Sequence, residues 1–146
     1  RILLISVLLV VQTLLFADGG LSALCVIVLN TAIVATLVGW LVFRLGVRLV
    51  RTRGGAAIVA GIAGFLSVPA AAMAFVLEYA IGGTAPVSLS AVAAAMGGVH
   101  LLIGIGEGVI TGLVVATVLA SRPDIVVGVR GTALAKPVAR PEAVTV

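Results

Sequence analysis

Apolar residues fill four long stretches of this chain, at about 2–17, 21–43, 56–81 and 89–120, with polar residues gathered in the gaps. At about 1.5 Å per residue, the second and third are long enough to cross a hydrocarbon core roughly 30 Å thick. The first, of 16 residues, is marginal, and the last, of 32, is too long for one straight crossing. Gly97-Gly98 is the predicted break in that last stretch, leaving a short element over 89–96 and a spanning helix over 99–120. The gaps carry turn chemistry. Gly19-Gly20 supply the positive-φ conformation that closes a helix, and Ser22 can cap the next one. Pro69, inside the third stretch, removes the helical donor of the Phe65 carbonyl and predicts a bend there. Beyond Arg122-Pro123 the helical period ends, and residues 123–146 are predicted to be a mobile tail.

Composition agrees with lipid as the solvent. Apolar residues make up 62% of the 146, charged residues 10%, and the mean hydropathy is +1.39. A soluble domain carries about a quarter charged residues, so that class is excluded. Eighteen glycines beside four Phe, one Trp and one Tyr favour close-packed helices over an aromatic-girdled barrel. One Cys and one His exclude a disulfide framework within the chain and a site of several thiolates or imidazoles. The pI of 10.7 would suit a nucleic-acid binder until the charges are placed. Arg44, Arg48, Arg51 and Arg53 share one gap, Arg122, Arg130, Lys136 and Arg140 follow the last apolar stretch, and Arg1 stands at the start. The gaps at 18–20 and 82–88 hold no Lys or Arg. All nine basic residues therefore fall on one side, which the positive-inside rule assigns to the cytoplasm. The basic balance reports topology and contact with lipid headgroups, with no nucleic acid implied. The expected fold is an all-α integral membrane protein. A polytopic bundle of about four transmembrane helices forms one domain over 1–122, with both ends cytoplasmic. Residues 2–17 read as a membrane helix whose beginning is truncated, not as a cleaved signal peptide: no small-x-small site precedes Asp18, and Gln12 interrupts the apolar run.

Polar groups at lipid depth face a protein interior or a cavity. His100 and Glu107, seven positions apart, are rotated by only about 20° and share a helix face. Gly104, Gly108 and Gly112 recur beside them as a stripe that lets another helix approach to backbone contact, and Thr111 extends the polar face. The expectation is a pocket with His100 near its mouth and Glu107 deeper, or else an interhelical hydrogen-bond clasp. Asn30 is a further candidate for that pocket and Asp18 a candidate at its outer hairpin, although an amide as packing glue and a solvated turn acid are the simpler readings. Glu78 and Tyr79 are expected at the interface, and Cys25 as a small apolar filler. No catalytic triad, phosphate loop or close carboxylate pair is present in the sequence, so no catalytic residue is assigned and an enzyme is not expected.

Two stretches carry a resemblance. One is Leu14-Leu15-Phe16-Ala17-Asp18-Gly19-Gly20-Leu21-Ser22-Ala23-Leu24 with Val28-Leu29-Asn30. The other is Gly98-Val99-His100-Leu101-Leu102-Ile103-Gly104-Ile105-Gly106-Glu107-Gly108-Val109-Ile110-Thr111. In this order, with the Arg-rich loop and the helix of Phe65-Leu66-Ser67-Val68 and Glu78, the chain resembles the cobalt/nickel substrate-binding membrane subunit of energy-coupling-factor transporters, the CbiM/NikM family. The resemblance covers roughly residues 10–124. It implies capture of Co²⁺ or Ni²⁺ outside a bacterial inner membrane, and inward passage with a transmembrane coupling subunit and a pair of cytoplasmic ATPases. It also implies a first shell from an amino-terminal Met-His pair and a second His, none of which stands in this sequence. Cys25-Val26-Ile27 and Thr31 also depart from the family's Gly, Asn and Met. His100, Glu107, Asn30 and Asp18 are thus candidates for a pocket or for orienting other ligands, and no metal or cofactor is expected to bind tightly to this chain alone. Two alternatives stay open on the residues themselves: a small four-helix proton-coupled multidrug exporter using Glu107, and a structural membrane subunit without a ligand.

Overall fold

The computed structural model describes residues 2–16 and 20–135. Helix α1 is Ile2–Phe16. A second crossing follows as three continuous pieces: α2 (Gly20–Ile27), a π-helical segment (Val28–Ala35) and α3 (Thr36–Gly46). Helix α4 is Arg53–Gly82 and α5 is Leu89–Ser121. Three of these crossings, Leu21–Gly46, Arg53–Gly82 and Leu89–Ser121, are long and apolar enough to span a membrane, while Ile2–Phe16 is shorter. No strand occurs among the described residues. The four-helix, all-α reading of the sequence holds.

The helices pack mainly on their chain neighbours: α1 against α2 and the π segment, the π segment and α3 against α4, and α4 most extensively against α5. Such a row leaves wide apolar faces outside. Leu3, Leu15, Ile81, Leu102 and Leu113 are all exposed. In water this arrangement would be disfavoured; in lipid the same side chains are solvated.

The boundaries follow from local chemistry. The Thr52 hydroxyl accepts from the Gly55 amide at 3.0 Å and starts α4 three residues earlier than the apolar pattern suggests. Ser88 caps α5 through the Ala91 amide, and α5 begins at Leu89, where the apolar stretch does. Ser22 lies inside α2 rather than capping it. α4 runs unbroken through Pro69. α5 also runs unbroken through Gly97-Gly98, where the sequence suggested a break. A helical glycine costs about 1 kcal/mol relative to alanine. Breaking the helix at lipid depth would strand several backbone groups at a greater cost. Continuity wins. The helix is then roughly 50 Å long, more than a hydrocarbon core needs.

The two ends of the bundle differ. The one bearing Arg44, Arg48, Arg51 and Arg53 is here called the arginine end. Residues 123–135, expected as part of a mobile tail, fold back over this end in three 3-10 turns. Val129 and Leu134 join Val47, Ala56 and Leu119 in a buried apolar cluster, with Phe43 and Val50 packed against it. Gly131 takes a φ of +80° in this return, a conformation glycine adopts without strain. Gly128 sits directly against the Phe43 ring. Short apolar residues without period were enough to dock this segment. The remainder of the expected tail, 136–146, lies outside the described residues.

Candidate functional site

The glycine stripe sets the geometry of the bundle's centre. A methyl group on Gly108 would stand 2.9 Å from the Gly61 carbonyl oxygen, and one on Gly61 would stand 2.8 Å from that of Gly108. The two backbones touch at this crossing. One turn on, a methyl on Gly104 would lie 2.8 Å from the Phe65 carbonyl oxygen and 3.4 Å from Pro69 Cδ. Pro69 has no N–H to give that carbonyl, and Gly104 is the residue that approaches it. At Gly112 the equivalent distance to the Ala57 oxygen is 3.5 Å, an ordinary contact.

His100 is half-buried on α5, with Nδ1 2.8 Å from the Met96 carbonyl oxygen. A carbonyl only accepts, so Nδ1 is the donor, and in the neutral ring the lone pair is then on Nε2. That is the tautomer a metal-ligating imidazole uses. Glu107 is exposed, half-way along α5. Counting about 100° per residue, it stands about 60° from Gly104 and 100° from Gly108, so the face meeting α4 turns it outward. Glu107 meets neither Asn30 nor the Phe65 carbonyl. Asn30 is bonded elsewhere, and the Phe65 carbonyl lies against Gly104.

Asn30 lies in the π segment, only 7% exposed, and its Nδ2 donates to Glu78 Oε2 at 3.0 Å. Glu78, expected at the interface, is half-buried in this pair. Its chain neighbour Tyr79 places its hydroxyl 2.8 Å from the Ala85 carbonyl and 2.9 Å from that of Val87, tying down the turn before α5. Asp18 lies outside the described residues. Cys25 is exposed on α2 rather than filling a core.

A cavity of about 800 Å³ opens nearer the arginine end. Thr36, Trp40 and Arg44 line it from α3, Ser67 from α4, Thr111 from α5, and Val126 from the returning segment. The Arg44 guanidinium stands 4.9 Å above the Trp40 ring. Of the residues the sequence placed on a polar face, only Thr111 lines this cavity; His100, Glu107 and Asn30 do not. Trp40 and Arg44 are four apart on a helix, a spacing that signals a shared face, and the sequence reading took Arg44 as a marker of topology and a contact for lipid headgroups, not as a cavity residue. Among the described residues no three His, Cys, Asp or Glu side chains converge as a metal site would need. The arrangement offers an imidazole with a usable lone pair, a buried amide–carboxyl pair and a cation-bearing cavity, each in a separate place.

Three apolar crossings joined by glycine contacts, with polar groups held inside, define a polytopic all-α membrane protein. Within that class, the family described as the cobalt uptake substrate-specific transmembrane region matches residues 1–125, and the chain belongs to it. A relative from Archaeoglobus fulgidus, provisionally named a fused nickel transport protein NikMN, is 38% identical over 124 residues, covering 85% of this chain and 40% of its own. The fused nickel transport protein NikMN of Rhodobacter capsulatus is 34% identical, covering 83% and 39%. The cobalt transport protein CbiM of Geobacter sulfurreducens is 33% identical, covering 85% and 36%. The chain thus spans 40% or less of the length of these three relatives. No solved structure matches it.

Proposed function

We propose that this chain is part of the membrane subunit that captures Co²⁺ or Ni²⁺ for an ATP-driven importer. It works beside a transmembrane coupling subunit and cytoplasmic ATPases, in the cell membrane, with the arginine end inside. The observation carrying this reading is the family match over 1–125, and the names of the relatives support the choice of cargo. The placement of all nine basic residues supports the orientation. The chain performs no catalysis of its own and needs no resident cofactor; the ion is cargo.

Within that role the glycine crossing holds α5 rigidly on α4, and α5 presents His100 with Nε2 available as a nitrogen donor, the type Co²⁺ and Ni²⁺ favour. One imidazole contributes to a site that other ligands complete. Glu107, exposed at mid-membrane, requires cover, and a neighbouring helix of the assembly supplies it.

The test is uptake of nickel or cobalt into proteoliposomes holding the whole transporter. Accumulation should require ATP and both partner components, and should fall several-fold in His100→Ala. Accumulation driven by a proton gradient without ATP would contradict the proposal and favour the proton-coupled alternative.

A further inference from the structure

We infer that Asn30 and Glu78 form a proton-binding site, in which one proton on Glu78 closes a cyclic amide–acid pair between the second crossing and α4. Asn30 Nδ2 donates to Glu78 Oε2 at 3.0 Å. The two other oxygens of the pair, Asn30 Oδ1 and Glu78 Oε1, are both buried and have no hydrogen-bond partner among the described residues. Both are acceptors in the ionised pair, and neither can satisfy the other. A carboxylate only accepts, whereas a carboxylic acid adds one O–H donor. An amide and a carboxylic acid have complementary edges: N–H to the acid's carbonyl oxygen, and O–H to the amide oxygen. With Oε2 already taking the amide N–H, the two atoms a proton would join are the two left over. Turning the amide over would set Oδ1 against Oε2, two acceptors face to face.

The surroundings offer nothing better for a negative charge. The described part of α1 has no titratable residue, α2 has only the exposed Cys25, and α3 has only Arg44, about four turns from Asn30. On α4 the neighbour Tyr79 turns its hydroxyl to the Ala85 and Val87 carbonyls, and Arg53 lies at the other end of the helix. On α5 the stretch 89–97 holds no titratable group, the His100 ring is bonded to Met96, and Glu107 is exposed. A buried carboxylate without a cation is strongly disfavoured in this setting. A proton satisfies both oxygens at once. Its loss would set a charge against the Asn30 oxygen and loosen the π segment from α4; one-turn π distortions recur at functional positions.

The inference rests on the membrane-spanning fold and not on the transported ion, so metal uptake neither supports nor removes it. Infrared difference spectra between the parent chain and Glu78→Gln at neutral pH should show a protonated-carboxyl C=O stretch lost in the variant. Asn30→Leu should shift that band. Carboxylate stretches alone in the difference would overturn the assignment. Should Glu78→Gln fail to fold, carboxyl-¹³C glutamate in the parent protein gives the same answer, with Glu107→Gln identifying the other membrane carboxyl.

Discussion

The arginine end and the opposite end of this bundle are built on inverse plans. At the arginine end, Val47, Ala56, Leu119, Val129 and Leu134 make a small apolar core, sealed by the returning 3-10 turns. A bidentate Arg122–Asp124 pair, at 3.0 and 2.9 Å, lies outside that core in the open. This is how a water-soluble domain is arranged. Toward the other end the polarity turns inside out: Leu77 and Ile81 face outward while the Asn30–Glu78 pair is inside. The chain changes its packing rules where its solvent changes, and the glycine crossing of α4 and α5 joins the two regimes. In lipid, where apolar burial gives helices little reason to associate, close backbone approach and polar contacts do that work.

If the arginine end has a true core, cutting into it should give the largest loss. Leu119 is fully buried there, and Leu119→Ala should cost about 2–5 kcal/mol in reversible unfolding in mixed micelles. A loss comparable to that of an exposed leucine would erase the distinction between the ends. Between the ends, Gly108→Leu drives a side chain into the Gly61 carbonyl and should cost about 1–3 kcal/mol. Gly106→Leu, which meets nothing within 4 Å, is the control and should be neutral or slightly stabilising. At the opposite end Asn30→Leu leaves the Glu78 carboxyl without its amide, a loss of about 1–2 kcal/mol.

The smallest effect concerns pH at the arginine end. The Arg122 side-chain hydrogen bonds hold the Asp124 carboxyl below the usual aspartate range. The folded state therefore favours the charged form. Its contribution is complete above the ordinary aspartate range and is lost as pH falls through the lowered value. Both side chains are in open solvent, so the effect is slight. Protection of the Val129 amide, whose N–H donates to the Val126 carbonyl, measured against its intrinsic exchange rate at each pH, should fall in acid, and Asp124→Asn should abolish that acid dependence.

The spanning helices were legible because twenty or more consecutive apolar residues have few other uses. Their ends were less so, since Thr52 starts α4 three residues before the apolar pattern through a hydrogen bond of a single hydroxyl. The π segment left no mark, because one extra residue per turn barely alters an all-apolar sequence. The sequence paired His100 with Glu107 from their angular separation, but which face meets α4 is settled by where the glycines are, and that face turns Glu107 outward. Asn30 and Glu78 were each visible as polar residues. Their partnership spans 48 positions and could be seen only once the helices were packed.

The orientation of the two ends decides which way a metal ion would travel, and labelling from outside the cell tests it most directly. In a Cys25→Ala background, a membrane-impermeant thiol reagent should modify Thr84→Cys in the turn between α4 and α5. It should leave Arg51→Cys, exposed at the arginine end, untouched until the membrane is opened. Modification of Arg51→Cys from outside, with Thr84→Cys protected, would contradict the account.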